Sequence, residues 1–251
     1  MRMRAWFGLG ALLACHNVDA AAVREQAEVS AAGGGRLLYR ETHYVQPGAG
    51  RWVLYRSPDG RAFARKRVHA SRQPSQPAFD LHDGRDGYRE GARGGGATRE
   101  VYSGRPAALS ARAVRGPADG VIDAGFDAAV RANWDALLRG ESVRLQFLLP
   151  GRQRFFPVRL RHAGSIDWKG MPAERLRMRL DAWFGFAVPE VSLVYARGDR
   201  RLLEFDGIGN LRDAGGRNLH VRIAFAPVAG AAGARELEAI RTVPLDGRCR
   251  L

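Results

Sequence analysis

Hydrophobic and polar residues alternate along most of the chain from residue 36 onward, which is the pattern of β-strands with one buried face. Short turn sequences such as PDG, RGDR and DAGGRN separate the alternating segments. Such alternation is typical of antiparallel meanders, which pack one face and leave the other in water. The chain is therefore predicted to be mainly β, of the α+β class, with about eight or more antiparallel strands. The predicted strands cover 37–45, 51–57, 62–71, 98–103, 143–149, 156–161, 175–180, 190–196, 201–208 and 219–225.

One segment, DAGFDAAVRANWDALLRG, interrupts this alternation and predicts an amphipathic helix over 124–139. Its apolar side chains recur at helical spacing and form one stripe, while aspartates and arginines alternate along the other face. An aspartate at the start can cap the helix, and the glycine at the end can terminate it. The apolar stripe includes Phe126, Val130, Trp134 and Leu137.

A sheet with one apolar face must cover that face. The sheet is therefore predicted to curl into an open half-barrel, with the amphipathic helix on its concave side. Composition does not shift within residues 36–228, which predicts a single β-rich domain there. The preceding stretch 23–35 is rich in alanine and glycine and is predicted to be a linker, with a short helix at 23–30. Residues 229–251 are predicted to form a tail with a short helix at 234–241.

Residues 1–22 have the pattern of a secretory signal peptide. Arg2 and Arg4 precede an uncharged apolar stretch over 5–14, which is shorter than the roughly 20 residues that span a bilayer. Alanine-containing cleavage sequences follow, so removal of the signal and release into the periplasm is the favoured interpretation. The alternative interpretation takes LLAC as a lipobox, in which a lipidated Cys15 would anchor the protein to a membrane.

The chain is strongly basic, with 40 lysine and arginine residues against 26 acidic residues and a formal net charge of +14. A basic surface can attract anionic lipid headgroups, acidic glycans or nucleic acid. An export signal makes nucleic acid the poorest of these partners, and the sequence contains no nucleic-acid-binding motif. The charge therefore predicts a possible anionic membrane surface as partner and no nucleic acid.

The stretch PEVSLVYARGDRRLLEFDGIGNLRDAGGRNLHVRIAFAP gives a more particular indication. Its order of strand, turn, strand, DAGGRN turn and basic–apolar final strand resembles the C-terminal meander of bacterial lipoprotein-localisation factors and of related exported envelope proteins. The resemblance covers residues 36–227. It implies an open half-barrel that wraps around helices and encloses a cavity for acyl chains.

Two groups of side chains are the candidate lining of such a cavity. The first is the helix stripe Phe126, Val130, Trp134 and Leu137, and the second is Trp183, Phe184 and Phe186. The second group lies in DAWFGFAVPE, where glycine and proline interrupt the alternation, so these rings could also meet a membrane interface. The alternative for both groups is ordinary core packing.

No catalytic motif is present: the sequence contains no GxSxG, Walker loop, HExxH or CxxC. His43, His69 and His220 fall within alternating segments and are predicted on the wet faces of strands. The acidic turn at 80–86 lacks the spacing of a calcium loop and is predicted to be a surface turn. The chain is therefore predicted to be non-enzymatic, with no catalytic residue, cofactor or metal.

Together these features predict an exported protein that binds a lipid or lipidated molecule in the cell envelope. Two alternatives stay open. One is an envelope scaffold with a filled core, whose basic face meets anionic membrane or a protein. The other is a periplasmic hydrolase whose catalytic residues come together only in space.

Overall fold

The alternating segments form the strands of one large sheet. The computed structural model describes residues 22–33, 35–181, 189–227 and 229–251, and in that part of the chain 16 strands form a single open sheet. The predicted antiparallel half-barrel is therefore confirmed, with more strands than the alternation alone identified. In chain order the strands are β1 Ala22–Ala31, β2 Leu37–Gln46, β3 Gly50–Arg56, β4 Ala62–His69, β5 Phe79–Asp83, β6 Arg89–Arg93, β7 Thr98–Gly104, β8 Ser110–Arg115, β9 Gly120–Val121, β10 Val143–Leu149, β11 Arg154–Trp168, β12 Met171–Leu180, β13 Val191–Ala196, β14 Leu202–Arg212, β15 Asn218–Phe225 and β16 Gly230–Ala232.

Strand β1 lies in the middle of the sheet and joins two meanders. On one side β2 to β8 follow in chain order, and on the other side β15 to β10 run back in reverse order, ending with β9. Neighbours on this path are antiparallel, except that β9 pairs with β10 in parallel. The short β16 pairs with the first residues of β1. The sheet thus has two halves, β2–β8 and β9–β15.

The sheet curls until its two ends come close together. Phe79 of β5 and Val101 of β7 pack in one buried cluster with Leu148 of β10, which belongs to the other half. Near the same place the side-chain amide of Gln153 donates a hydrogen bond of 2.8 Å to the hydroxyl of Ser110. The concave face therefore encloses a space that is bounded by both halves.

The predicted helix over 124–139 is present but divided into two. Helix α1 spans Gly125–Ala132 and α2 spans Trp134–Leu138. Between them Asn133 leaves the helical conformation, and its side-chain amide donates a hydrogen bond of 2.8 Å to the carbonyl of Ala129. This bond competes with regular helical pairing of the backbone, which accounts for the break. Both helices lie on the inner face of the half formed by β10–β14.

The short helix predicted at 23–30 is wrong, because these residues belong to β1, and the stretch predicted as a linker thus contributes a central strand. Glutamate, glutamine and alanine favour helices, which explains the prediction. In the fold β1 is paired on both sides: Ala27 lies opposite Glu41 of β2 and opposite Phe225 of β15. Pairing with two neighbours and burial of Val29 override the local propensity.

A third helix, α3 at Ala234–Thr242, matches the helix predicted in the tail. It lies on the outer face of the sheet, where Ile240 packs against Tyr44 of β2 and Leu54 of β3. An arginine of β4 donates hydrogen bonds to two backbone carbonyls at the end of α3. None of the described helices is long and apolar enough to cross a lipid bilayer.

Candidate functional site

The helices fill only part of the space inside the curled sheet, and a cavity of about 790 Å³ lies beside them. Residues of β2–β7, the beginning of α1 and residues of β10–β15 bound it. Cavities that hold small molecules in proteins measure roughly 300–1,000 Å³, so this volume is in the range of a ligand site. We therefore take it as the candidate functional site.

One side of the cavity is apolar. Its side chains come from inward positions of β10–β15 and from the first turn of α1, and most are half-buried because they face the cavity. Phe126 of α1 lies against Phe205 of β14, with the ring centroids 6.2 Å apart. This apolar side consists of Phe126, Phe147, Phe156, Val158, Met178, Leu180, Val191, Phe205, Ile223 and Phe225.

The opposite side, which we call the polar wall, consists of Glu41, His43, Lys66, Glu90 and Asp123. All five residues are buried, which is unusual for ionisable groups. Strand register explains the position of three of them. His43, Lys66 and Glu90 lie in one row across β2–β6, separated by Val53 and Leu81, and they point to the same face. Strands that are two apart in a sheet lie about 10 Å apart, so His43, Lys66 and Glu90 follow one another at about this spacing.

Hydrogen bonds link most of the polar wall into a network. The ammonium of Lys66 donates to Oδ1 of Asp123 at 3.0 Å and contacts the side-chain oxygen of Asn210 at 3.4 Å. The amide of Asn210 donates to Glu90 Oε1 at 3.1 Å, and the hydroxyl of Tyr88 donates to Glu90 Oε2 at 3.1 Å. The network therefore joins the start of α1 to β4, β6 and β14.

Burial shifts two groups of the polar wall toward their neutral forms. It raises the pKa of Glu90, although hydrogen bonds from Asn210 and Tyr88 oppose the rise. It lowers the pKa of His43, although the hydrogen bond and the charge of Glu41 oppose the fall. A neutral imidazole can donate or accept a hydrogen bond, and so can a carboxyl group that keeps its proton. Such groups can bind the polar part of a ligand without burying a charge.

One acceptor atom of the polar wall, the buried Nδ1 of His43, has no partner among the described residues. His43 contacts Glu41 through its other nitrogen, with 2.7 Å between Nε2 and Oε2. Oδ2 of Asp123 accepts no well-aligned hydrogen bond in the same part of the chain, but it lies 3.0 Å from the ammonium of Lys66. Most buried polar atoms in proteins have a partner, so the free nitrogen of His43 on the cavity wall calls for an explanation.

Arginines line the rim of the cavity. Arg212 stacks over the ring of Tyr88, 3.4 Å from its centroid, and donates a hydrogen bond of 2.7 Å to Asp86. Arg51 and Arg152 also border the cavity. Within the described residues no group of three or more side chains could hold a metal ion.

The structure separates the predicted lining residues. Phe126 lines the cavity. Val130, Trp134 and Leu137 are instead buried in a packed cluster with leucines of β11–β13, and Trp134 meets the ring of Tyr195 edge-on at 5.9 Å. Trp183, Phe184 and Phe186 lie outside the described residues, as does Cys15. Two kinds of role stay predictions: direct contact of these aromatic and aliphatic residues with a ligand, and lipidation of Cys15.

The polar wall was not predicted from the sequence. The prediction that His43 lies on a wet face is wrong, because it is only 6 % exposed and points inward from β2. The alternation of side chains in β4 contained a signal for it. The inward positions of β4 are Ala64, Lys66 and Val68, so Lys66 lies on the same face of the strand as two apolar residues. Alternation alone does not say which face of the sheet is concave.

Comparison of the chain with protein-family models and with curated proteins gives no match. Among solved structures it is similar to a β-barrel-like protein of a domain of unknown function, DUF1849, from Brucella abortus. That similarity has a TM-score of 0.52 at 7% identity and covers 85% of this chain and 99% of the other.

Two further structures match less well. A putative outer membrane lipoprotein-sorting protein domain from Vibrio parahaemolyticus has a TM-score of 0.29 at 10% identity, with 88% of each chain covered. A DUF1329 family protein from Desulfovibrio piger has a TM-score of 0.29 at 9% identity, with 87% of this chain and 88% of the other covered. The Brucella abortus match shows a shared β-barrel-like fold, in agreement with the predicted half-barrel, and nothing beyond the fold.

Proposed function

We propose that this protein binds a hydrophobic ligand, a lipid or a lipidated molecule, in the cavity between the two halves of its sheet. The observation that carries the proposal is the volume of about 790 Å³ bounded by inward aromatic and aliphatic side chains. Each methylene group that leaves water for such a lining contributes about 0.8 kcal/mol. A single alkyl chain can therefore be held by burial alone, without covalent attachment.

The proposed role is binding rather than catalysis. The buried ionisable groups of the cavity contact one another: Lys66 is engaged by Asp123 and Asn210, and His43 by Glu41. No serine, threonine or cysteine is within hydrogen-bond distance of His43 in the described part of the chain. This arrangement favours a carrier or sensor of lipid over a hydrolase that uses His43 as its base.

The proposed place of action is the cell envelope, and it rests on the export signal predicted at residues 1–22. A released periplasmic protein and a lipoprotein anchored through Cys15 differ in one covalent bond. Labelling of cells with an alkyne fatty acid, in wild type and in Cys15→Ser, separates the two. Label that is lost in the variant supports anchoring, and label that is absent from both proteins or retained in the variant argues against it.

Extraction of co-purified lipid tests the proposed binding. The full chain is expressed with its own leader, purified without detergent and extracted with organic solvent, and the extract is analysed by mass spectrometry. We expect a near-stoichiometric lipid in wild type and a severalfold loss in Ile223→Trp, which fills the cavity from β15. Ala224→Trp adds the same ring at the next residue, on the outer face, and should keep its lipid.

An empty wild-type protein that also refuses added lipid would contradict the proposal. Equal lipid in both tryptophan variants would place the lipid outside the cavity and would also contradict it.

A second candidate function, adsorption to an anionic membrane, is favoured by one surface. On the outer side of β10–β12, arginines stand directly opposite one another across the strands. Like charges in such pairs destabilise a sheet. We call this the arginine face: Arg144, Arg159, Arg161, Arg177 and Arg179. Asp181 and Glu190 are the acids that pair with it in the described residues, so positive charge is in excess.

Salt dependence separates this candidate from cavity binding. Co-sedimentation with vesicles rich in phosphatidylglycerol should fall steeply as salt rises, because exposed charges are screened. The double variant Arg161→Gln, Arg177→Gln should lose most of this binding and keep its extractable lipid. Vesicle binding that is insensitive to both salt and the variant would contradict the second candidate.

A further inference from the structure

We infer that the ligand of this cavity has a polar end that donates hydrogen bonds and carries no negative charge, namely a hydroxyl or an ammonium group on a hydrocarbon chain. The inference rests on the proposed function, because it specifies the polar end of the same hydrophobic ligand. It comes from the unpartnered acceptor atom of the polar wall, Nδ1 of His43, and from the carboxyl groups beside it.

His43 supplies the acceptor. Its Nε2 lies 2.7 Å from Oε2 of Glu41. A carboxylate can only accept hydrogen bonds, so this contact assigns the proton to Nε2 and leaves Nδ1 with a free lone pair. The residue is 6 % exposed, lines the cavity, and has no partner for Nδ1 among the described residues. A buried acceptor without a donor is destabilising, and a donor from the ligand relieves that cost.

Asp123, the residue before α1, brings a carboxylate to the polar wall from a different element. Its side chain is 3 % exposed, Oδ1 accepts the hydrogen bond from Lys66, and Oδ2 lies 3.0 Å from the same ammonium. Lys66 is thus already paired with both oxygens, and Asp123 contributes negative charge to the wall rather than a free acceptor. The backbone of Asp123 has φ of 44°, in the left-handed region that few residues other than glycine adopt. The carboxylate is therefore held at the cavity by an uncommon conformation.

The charges of the polar wall disfavour an anionic headgroup there. The wall holds three carboxyl groups, those of Glu41, Glu90 and Asp123, against the one ammonium of Lys66, which is already engaged by Asp123 and Asn210. A carboxylate or phosphate placed at this wall would meet more negative than positive charge. A hydroxyl donates without a charge, and an ammonium donates and also complements the carboxylates.

Ligands of equal chain length that differ only at the polar end test the inference. Pyrene, a pure hydrocarbon, is bound to the full-length purified protein and displaced by dodecanol, dodecylamine, dodecyl methyl ether or dodecanoate. One well-made hydrogen bond to an otherwise unsatisfied acceptor corresponds to about tenfold in affinity. We therefore expect dodecanol and dodecylamine to displace pyrene at about tenfold lower concentration than the ether. Their relative strength tells whether hydroxyl or ammonium is preferred.

Substitution of the acceptor gives a second, independent readout. His43→Phe keeps a ring in place and removes Nδ1, so the advantage of dodecanol over the ether, measured as the ratio of the concentrations that displace pyrene, should shrink to about twofold or less. Thr42→Val is the matched control: it changes the next residue of β2, whose side chain points to the opposite face, and should retain the advantage. If His43→Phe fails to fold, the series of ligands in the wild-type protein still decides.

The outcomes separate the inference from the function on which it rests. If dodecanol and the ether bind equally, or if dodecanoate binds most tightly, the inference is overturned and hydrophobic binding stands. If none of the four ligands displaces pyrene and pyrene itself does not bind, the proposed function fails.

Discussion

Truncation of two aromatic residues of the same helical segment should separate ligand binding from folding. Trp134 is 3 % exposed and packed among leucines, so Trp134→Ala leaves a void and should lower the free energy of unfolding by about 3–5 kcal/mol. Phe126 is half-buried and faces a cavity that already exists. Phe126→Ala therefore removes only part of the contribution that a fully buried side chain makes, and should lower the free energy of unfolding by about 1–1.5 kcal/mol. The same lost contact of about 1 kcal/mol should weaken binding of a hydrocarbon ligand roughly fivefold.

Urea unfolding measures the two stabilities, and pyrene titration of the folded variants measures the two affinities. The expected result is a crossed pattern, with Phe126→Ala impaired in affinity and Trp134→Ala impaired in stability. Equal losses of stability, or an affinity that falls as much in Trp134→Ala as in Phe126→Ala, would refute the separation between the packed cluster and the cavity.

Three further changes test other parts of the fold. Burial raises the pKa of Glu90 above its ordinary value of 4.5, so the folded state keeps the proton longer and stability falls as pH rises past that value. Glu90→Gln should therefore be more stable than wild type at about pH 8 and less distinct at about pH 4 in urea unfolding, and a constant difference would contradict this. A Cβ at Gly125 would lie 2.1 Å from the carbonyl oxygen of Ser75, so Gly125→Ala should lower the free energy of unfolding by about 1–3 kcal/mol, and an unchanged melting temperature would count against this contact. Ile240→Ala should cost about 2–5 kcal/mol and speed hydrogen exchange in α3 without changing pyrene affinity, because α3 packs on the outer face.

Local patterns predicted most strands that pair with the next strand along the chain, but they missed the short strands β5, β6 and β8 and the central strand β1. The hairpins of β10–β15 were all visible as alternation, because each strand pairs with the next. Strand β1 was not visible, although one of its partners is the nearby β2; its other partner, β15, lies about 200 residues away, with Ala27 opposite Phe225. Its alanine- and glutamate-rich sequence favours a helix, and no local feature reports a pairing of that separation.

The polar wall shows the same limit for the site. Lys66 meets Asp123 across 57 residues and Asn210 across 144. Alternation assigns Lys66 to the apolar face of β4, but a charged residue at such a position is equally expected at a strand edge or on an exposed face. Only the curl of the sheet brings β4, β14 and the start of α1 together, and curl depends on the packing of the two halves rather than on any one segment.

Stability alone does not account for the buried polar wall. A buried ion pair is often no more stabilising than well-packed apolar residues of the same size, because both charges lose their hydration. Here Lys66, Asp123 and Glu90 are all buried, and His43 has one nitrogen without a partner among the described residues. These residues border the cavity, whereas the three helix residues that face away from it, Val130, Trp134 and Leu137, are apolar and tightly packed. His43 is one of several residues with a buried unpartnered atom in the described part of the chain, and it lines the cavity, so a ligand there would complete its hydrogen bond.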